Sequence, residues 1–290
     1  MIREAEGWVP PILYRRLLRW SDALSFRSYE KRGILSKNVV LKGICRGKRA
    51  FVLATGPSIN QQDLQTLGGE DCYSISNFFL HEHIGIINPR FHFFAPYHEP
   101  LVLENYIEWL QFADKALPPE TEIFLGHSTF PMVDRYRLFP GRKVHYLYLS
   151  GHPSNCDVDI TKPVLCPQSG PLMMLPVLLY MGYDTVYLLG CDHNNLKDYK
   201  KPMEHFYPSS KDVRKNASDE NSWDDVTNTM KQAHNLFSQY DFYKKLYRQS
   251  GSRIVNLSND SWLDMFETNN LAEIINRPTA YPDCRPKVTG

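Results

Sequence analysis

The sequence predicts an α/β fold, a mostly parallel sheet with helices on both faces. From residue 50 onward, short apolar runs alternate with amphipathic stretches, the pattern of strands joined by crossover helices. One run, "TVYLLGCD" at 185–192, is apolar as a central parallel strand should be. With 290 residues, 42% of them hydrophobic, the chain can bury a sizeable core.

The elements follow in order. Leu13, Leu17, Trp20 and Leu24 recur at helical spacing, with Arg15, Arg19 and Asp22 off that line. "AFVLAT" is a buried strand, and a helix is expected from about Ser58 to Leu67. "CYSIS" and "RFHFFA" are the next strands, and "LVLENYIEWLQFADKAL" is a helix after them. "EIFLG" and "KVHYLYL" are further strands. "GPLMMLPVLLYMG" is a helix with Pro171 in its first turn and Gly182 beyond its end; Pro176 inside it is expected to kink it. After "TVYLLGCD", a polar stretch at about 194–222 has almost no apolar period and reads as a lid or a disordered segment. A long helix then runs from Ser222 to about Gln249, with Val226, Met230, Ala233, Phe237 and Tyr240 as its apolar stripe, and "RIVNLS" is the last strand. The expected division is a basic helical extension (1–47), a nucleotide-binding, catalytic domain (48–276) carrying the lid, and a tail (277–290).

Composition narrows the function classes. The first fifty residues hold twelve Lys/Arg against four Asp/Glu, a net of +8, while the remainder carries a net of −7. A basic segment ahead of an acidic body implies an anionic partner for the N-terminus. Its helix has two readings: packing on the main domain, or resting on anionic lipid with help from Trp8, Trp20 and the arginines. Nucleic acid is not expected, because the basic residues do not continue into the body. No apolar stretch reaches the ~18–20 residues of a membrane span, and "MIREAEGWVPP" lacks the apolar core of a signal peptide. The six cysteines form no C-x-x-C pair and read as reduced thiols, so a cytoplasmic location is expected, with peripheral contact on the inner membrane face as its variant.

Chemistry-bearing residues gather where strands end. Thr55-Gly56-Pro57-Ser58 follows the first strand, and taken alone is also an ordinary tight turn. Gly56 lets backbone approach a ligand, Pro57 needs no N–H partner in a first turn, and Ser58 or Thr55 can donate to an oxygen. The turn has neither the G-x-G-x-x-G pattern nor the lysine of a P-loop. Ser76-Asn77 follows the second strand, Ala95-Pro96-Tyr97-His98 the third, Ser169-Gly170 opens a helix, and Gly190-Cys191-Asp192-His193 ends a strand. In open α/β sheets such ends face one crevice beside helix N-termini, the layout of a nucleotide site. Asp192 has a second reading, as an acceptor for loop backbone. His81-Glu82-His83, with His92 and His98 nearby, invites a metal reading, but histidines at i, i+2 do not share a helical face and no third ligand is suitably spaced. No metal is expected.

Taken in order, Gly56-Pro57-Ser58, Ser76-Asn77-Phe78-Phe79, Ser169-Gly170 and Gly182-Tyr183-x-x-x-Tyr187-Leu188-x-Gly190-x-Asp192 resemble the bacterial family-42 sialyltransferases. They resemble also the related MptE-like proteins, the 6-hydroxymethylpterin pyrophosphokinases or motility accessory factors of surface-glycan gene clusters. The similarity spans residues 48–266, His205-Phe206-Tyr207 and Val255-Asn256…Ser261 included. The resemblance implies a variant Rossmann-like domain with a lid, and an inverting, metal-independent transfer from a CMP-linked sugar. It implies that Thr55, Gly56, Pro57 and Ser58 line the nucleotide and its phosphate, that Ser76 and Asn77 hold base or ribose, and that Ser169 and Gly170 hold the donor sugar or carboxylate. Asp192 belongs to the same donor-binding set. His205 matches the lid histidine that takes the acceptor's proton. Where the sialyltransferases carry a tyrosine soon after Gly-x-Asp, this chain has His193-Asn194-Asn195, leaving His193 or Tyr199 to meet the leaving phosphate; Ala95 stands where an asparagine is expected.

The function this implies is transfer of a CMP-linked nonulosonate or related acidic sugar to a surface glycan, lipid-linked acceptor or flagellin, with no cofactor beyond the donor substrate. The alternatives are an ATP- and Mg2+-dependent pyrophosphokinase acting on a pterin-like alcohol, and a non-catalytic nucleotide-binding protein. Oligomeric state is left open.

Overall fold

The computed structural model describes residues 10–98, 101–151, 158–198, 201, 203–214 and 225–276. Helix α1 (Pro11–Lys31) leads through a 3-10 turn (Ser36–Leu41) into β1 (Arg49–Leu53). Next come β2 (Cys72–Ile75), α2 (Ile84–Ile87), β3 (Phe91–Phe93), α3 (Leu103–Ala116), β4 (Glu122–Gly126), α4 (Phe130–Tyr136), β5 (Val144–Ser150) and β6 (Pro163–Leu165). The remainder is α5 (Gly170–Met181), β7 (Thr185–Leu189), α6 (Val226–Gln249), β8 (Arg253–Asn256), β9 (Glu267–Thr268) and α7 (Leu271–Ile275).

All nine strands form one sheet in the order β6-β5-β4-β3-β2-β1-β7-β8-β9, and every neighbouring pair is parallel. The chain steps outward from β1 to β6, then α5 carries it back to β7 on the other side of β1. Strand order therefore reverses between β1 and β7. In open parallel sheets that is where a crevice opens at the carboxyl ends.

Both sheet faces are covered, so the central strands are apolar on both sides. In β1 and just beyond it, Ala50, Val52 and Ala54 belong to the core under α5 and α6, while Phe51 and Leu53 pack with Tyr187, Leu189, Leu271 and Ile274. On the β3–β5 side, Trp109, Leu110 and Ala113 of α3 cover Phe94, Ile123 and Leu125. Helix α5 is buried on every side, and Leu172, Met173, Met174, Leu175, Val177 and Leu178 are each at most 1% exposed. It runs through Pro176 and ends at Gly182, whose φ of 86° suits the left-handed cap that closes it.

Three local expectations are corrected. The segment 58–67 is two 3-10 turns, Pro57–Gln61 and Leu64–Leu67, because Gln62 is extended and the Asp63 carboxylate accepts from the Gln65 N–H, starting a new turn. Helix α6 starts at Val226, capped by Asp225, whose side chain accepts from the Asn228 N–H; Ser222 lies outside the described residues. Its N-terminal half stands in solvent, with Val226 47% and Met230 51% exposed, and its buried anchor is Tyr240, Tyr243 and Tyr247. The two outermost strands, β6 and β9, were not foreseen. They are three and two residues long, and β6 opens on a proline, as edge strands tolerate.

A buried histidine links the sheet to the turn after β2. His92 is fully buried; its Nε2–H donates to the Ser76 carbonyl (2.9 Å), so its Nδ1 accepts from the Ser74 hydroxyl (2.7 Å). Burial pushes its imidazole down to about 3. Below roughly pH 6.5 the unfolded chain binds a proton that the folded chain refuses, so stability falls as pH falls, by up to ~1.4 kcal/mol per pH unit from this group. Urea midpoints taken from neutral to mildly acidic pH should decline, and His92→Gln should flatten part of that decline while lowering stability throughout. An equal slope in both proteins would remove His92 as its source.

Candidate functional site at the ends of β1 and β7

Two glycines bring the exits of β1 and β7 together. The Gly56 N–H donates to the Gly190 carbonyl (2.9 Å), and the Ala54 N–H to Leu189 (2.9 Å). A Cβ on Gly56 would sit 2.5 Å from the Gly190 oxygen and 2.6 Å from Cγ of Asp192, so no side chain fits there. Asp192 closes the junction: one carboxylate oxygen accepts the Ser58 N–H (2.9 Å) and the other the Ser58 hydroxyl. Asp192 is 6% exposed. Burial raises its carboxyl above the usual carboxylate range, and the two bonds from Ser58 oppose the rise. Asp192 thus has the structural role that was one of its two readings.

The segment 203–214, within the stretch expected to be a lid, returns to this junction. The Phe206 N–H donates to the Thr55 carbonyl (3.0 Å), and His205 Nδ1 lies 3.2 Å from the Thr55 hydroxyl. Desolvation, with a smaller push from Arg214, holds His205 below the ordinary value of 6.5, so its ring is neutral near pH 7. The ring lies flat on Tyr207, centroids 5.0 Å apart and planes within 6°. The Asn77 amide donates to the Tyr207 hydroxyl (2.8 Å) and accepts from the Trp109 indole N–H. Arg214 stacks over Trp109 (4.4 Å to the ring centroid) and pairs with Asp212 (2.6 Å). Phe206 packs against Phe78 and His81.

The third wall is the start of α5. Ser169 precedes the helix without capping it through its side chain, and among the described residues its buried hydroxyl has no hydrogen-bond partner within bonding geometry. A Cβ on Gly170 would meet Ile75 at 2.7 Å, so glycine is what lets α5 approach the end of β2. At that helix end Pro171 has no N–H and the Leu172 N–H donates to the Ser169 carbonyl (3.1 Å), which leaves the Gly170 N–H and the Ser169 hydroxyl as donors toward a ligand. His193 follows Asp192 and faces Tyr240 (Nε2 to hydroxyl, 2.8 Å); burial pushes its imidazole down to about 4.

The predicted residues sort as follows. Thr55 meets His205, Gly56 and Ser58 meet Asp192, Asn77 meets Tyr207 beside His205, and Gly170 meets the strand that leads into Ser76. Pro57 begins the 3-10 turn that Asp192 holds. Tyr199 lies outside the described residues. Ser76 and His193 both hold left-handed backbone, φ 58° and 48°, uncommon outside glycine and concentrated where backbone geometry serves a site. Trp109, Tyr207, Asp212, Arg214 and Tyr240 were not among the predicted site residues. Asp212 and Arg214, two apart, give the only local signal; Trp109 gives none, since its contact with Asn77 spans 32 residues. Ala95 uses only its carbonyl, accepting from Tyr106 (2.7 Å). No group of three or more metal-binding side chains occurs among the described residues.

No protein-family model matches the chain. No curated protein matches it either. Among solved structures it is similar to the sialyltransferase CstII from Campylobacter jejuni in two complexes. With CMP-3FNeuAc the identity is 13% over 76% of this chain and 85% of that one, at a TM-score of 0.43. With cytidine-5'-monophosphate it is 15% over 77% and 85%, at a TM-score of 0.46. A likeness of this size identifies neither substrate nor activity.

The glycine junction yields a direct test. Gly56→Ala should lower stability by ~1–3 kcal/mol, the cost of forcing a methyl group into a filled space. Gly85→Ala, where nothing lies within 4 Å, should be neutral or stabilising. Equal thermal midpoints for the two variants would contradict the close approach of β1 to β7.

Proposed function

We propose that this chain is an inverting glycosyltransferase that moves an acidic sugar, a CMP-linked nonulosonate, onto a glycan, lipid-linked or flagellin acceptor. The observation that carries this reading is the neutral His205 imidazole held on Thr55, at the point where strand order reverses. The ordered sequence resemblance to the family-42 sialyltransferases supports the same reading.

The chemistry follows from those groups. His205 Nδ1 meets the Thr55 hydroxyl, and in the proposed step that nitrogen carries the ring proton while Nε2 accepts one. In the proposed step the acceptor oxygen bonds to the anomeric carbon while its proton passes to Nε2. The bond from that carbon to the phosphate oxygen breaks, and the electron pair departs on CMP. Attack from the face opposite the leaving group inverts the centre. In this reading the Ser169 hydroxyl and the Gly170 N–H at the start of α5 meet the negative charge that grows on the phosphate. In this reading His193 or Tyr199 assists at the leaving phosphate; His193 meets the Tyr240 hydroxyl.

The pyrophosphokinase alternative would ask Asp192 to hold magnesium. Both of its carboxylate oxygens accept from Ser58, so that role would cost the junction its closure.

One experiment combines binding and turnover. CMP without magnesium should raise the thermal midpoint of the wild-type chain and of His205→Ala alike, while turnover of a CMP-linked nonulosonate falls by ~10²–10⁴-fold in the variant. Because protonation removes the base and this ring's pKa lies below 6.5, the acid limb of the wild-type rate profile should fall below that value. Stabilisation by ATP with magnesium but not by CMP, or unchanged turnover in His205→Ala, would refute the proposal.

A further inference from the structure

Helix α1 has two apolar faces, and the body of the protein covers one of them. On the covered side, Phe26 lies edge-on to Tyr148 (5.2 Å) and Tyr29 edge-on to His127 (4.8 Å). Asp22 fastens that side: its carbonyl and carboxylate accept from the Tyr148 hydroxyl (2.9 and 3.0 Å), and its second oxygen from Ser150 (2.5 Å). At about 100° per residue, Leu13, Leu17, Trp20 and Leu24 form a stripe on roughly the opposite side of the helix. They stand in solvent, with Leu13 50% and Trp20 66% exposed. The following turn adds Val39 and Val40, at 57% and 68%. Of the fifteen exposed large hydrophobic residues among those described, eight fall between Ile12 and Ile44. An apolar concentration of this kind marks an interaction surface.

Its occupant is indicated by charge. The first fifty residues, which include this segment, hold the +8 excess, and Arg16, Arg19 and Arg27 are exposed on the helix that carries the stripe. A second copy of the chain would bring the same positive charge to the same face and be repelled. An acidic bilayer satisfies both features, because its headgroups pair with the arginines while leucine and tryptophan enter the acyl boundary. No helix among the described residues is long and apolar enough to cross a membrane, so the contact is made along a surface.

We propose that α1 lays its Leu13–Leu17–Trp20–Leu24 face on an anionic lipid bilayer and tethers the enzyme to it, with Asp22, Phe26 and Tyr29 fixing the body to the opposite side of the helix. The surface is independent of the β1–β7 crevice, and either assignment stands without the other.

The test is sedimentation of the full chain with phosphatidylcholine vesicles, with and without phosphatidylglycerol, at low and high salt. Wild type should pellet with the acidic vesicles and be released by salt. The Leu17→Gln/Trp20→Gln variant should bind about tenfold or more weakly, since it removes two inserted side chains. The Arg16→Gln/Arg19→Gln variant should bind acidic vesicles about tenfold or more weakly, with little change on neutral ones. These side chains are exposed, so thermal midpoints should hold; should the first variant unfold, the arginine variant decides. Wild type left in the supernatant with acidic vesicles, or both variants binding as wild type does, would overturn the proposal. So would a dimer at sedimentation equilibrium that Trp20→Gln disperses, which would give the face to a second copy.

Discussion

The site depends on one junction, the Asp192 carboxylate gripping Ser58 where β1 and β7 part. A parallel sheet whose strand order reverses leaves two loops diverging at that point, and divergence alone gives a gap of no defined shape. Here Gly56 and Gly190 remove the side chains that would keep the loops apart, and Asp192 ties the Ser58 backbone and hydroxyl across the gap. A buried carboxylate with both oxygens satisfied is costly to disturb on one side only, because the partner would be left unpaired in a dry place. The turn carrying Thr55 is thereby held still, and Thr55 is what His205 meets.

Around that junction the walls are set by packing rather than by polar chemistry. Helix α5 is apolar all round and lies between the sheet and α6, so its N-terminus has one position, at the end of β2. The segment 203–214 is tied separately, by Phe206 on Phe78 and His81, by Tyr207 on Asn77, and by Arg214 on Trp109. These contacts orient His205 through groups that need not touch a substrate, which makes Asn77 and Tyr207 positioning residues for the proposed base. Strain appears in the same places: Ser76 and His193 hold left-handed backbone at the ends of β2 and β7. His92 steadies the first of these through the Ser76 carbonyl.

How much of this was legible in the sequence depended on the range of the interactions. Seven strands could be read because each is a short, almost continuous apolar run buried on both faces, and α3 and α5 because their patterns are long. The edge strands β6 and β9 could not, since three residues beginning with proline and a lone Glu-Thr pair carry no pattern, and only a neighbouring strand makes them strands. The 58–67 segment read as a helix because its apolar spacing is helical, but the Asp63 carboxylate competes for backbone N–H groups and divides it. At the site, glycines and hydroxyls at strand ends were visible as breaks in apolar runs. Tyr240 and Trp109 looked like core, which they are; their polar ends reach His193 and Asn77 across 47 and 32 residues, a distance no local pattern encodes. The excess of basic charge in the first fifty residues was plain, whereas the division of α1 into a docked and an open face needed the coordinates.

The most direct measurement of the central claim is a crystal structure of the full chain with CMP. The predicted complex has the phosphate beside Thr55 and the Ser169–Gly170 start of α5, with the Asp192–Ser58 bonds intact and His205 facing the open side of the phosphate. CMP bound away from the β1–β7 junction, or an Asp192 carboxylate turned from Ser58 toward the ligand, would contradict it.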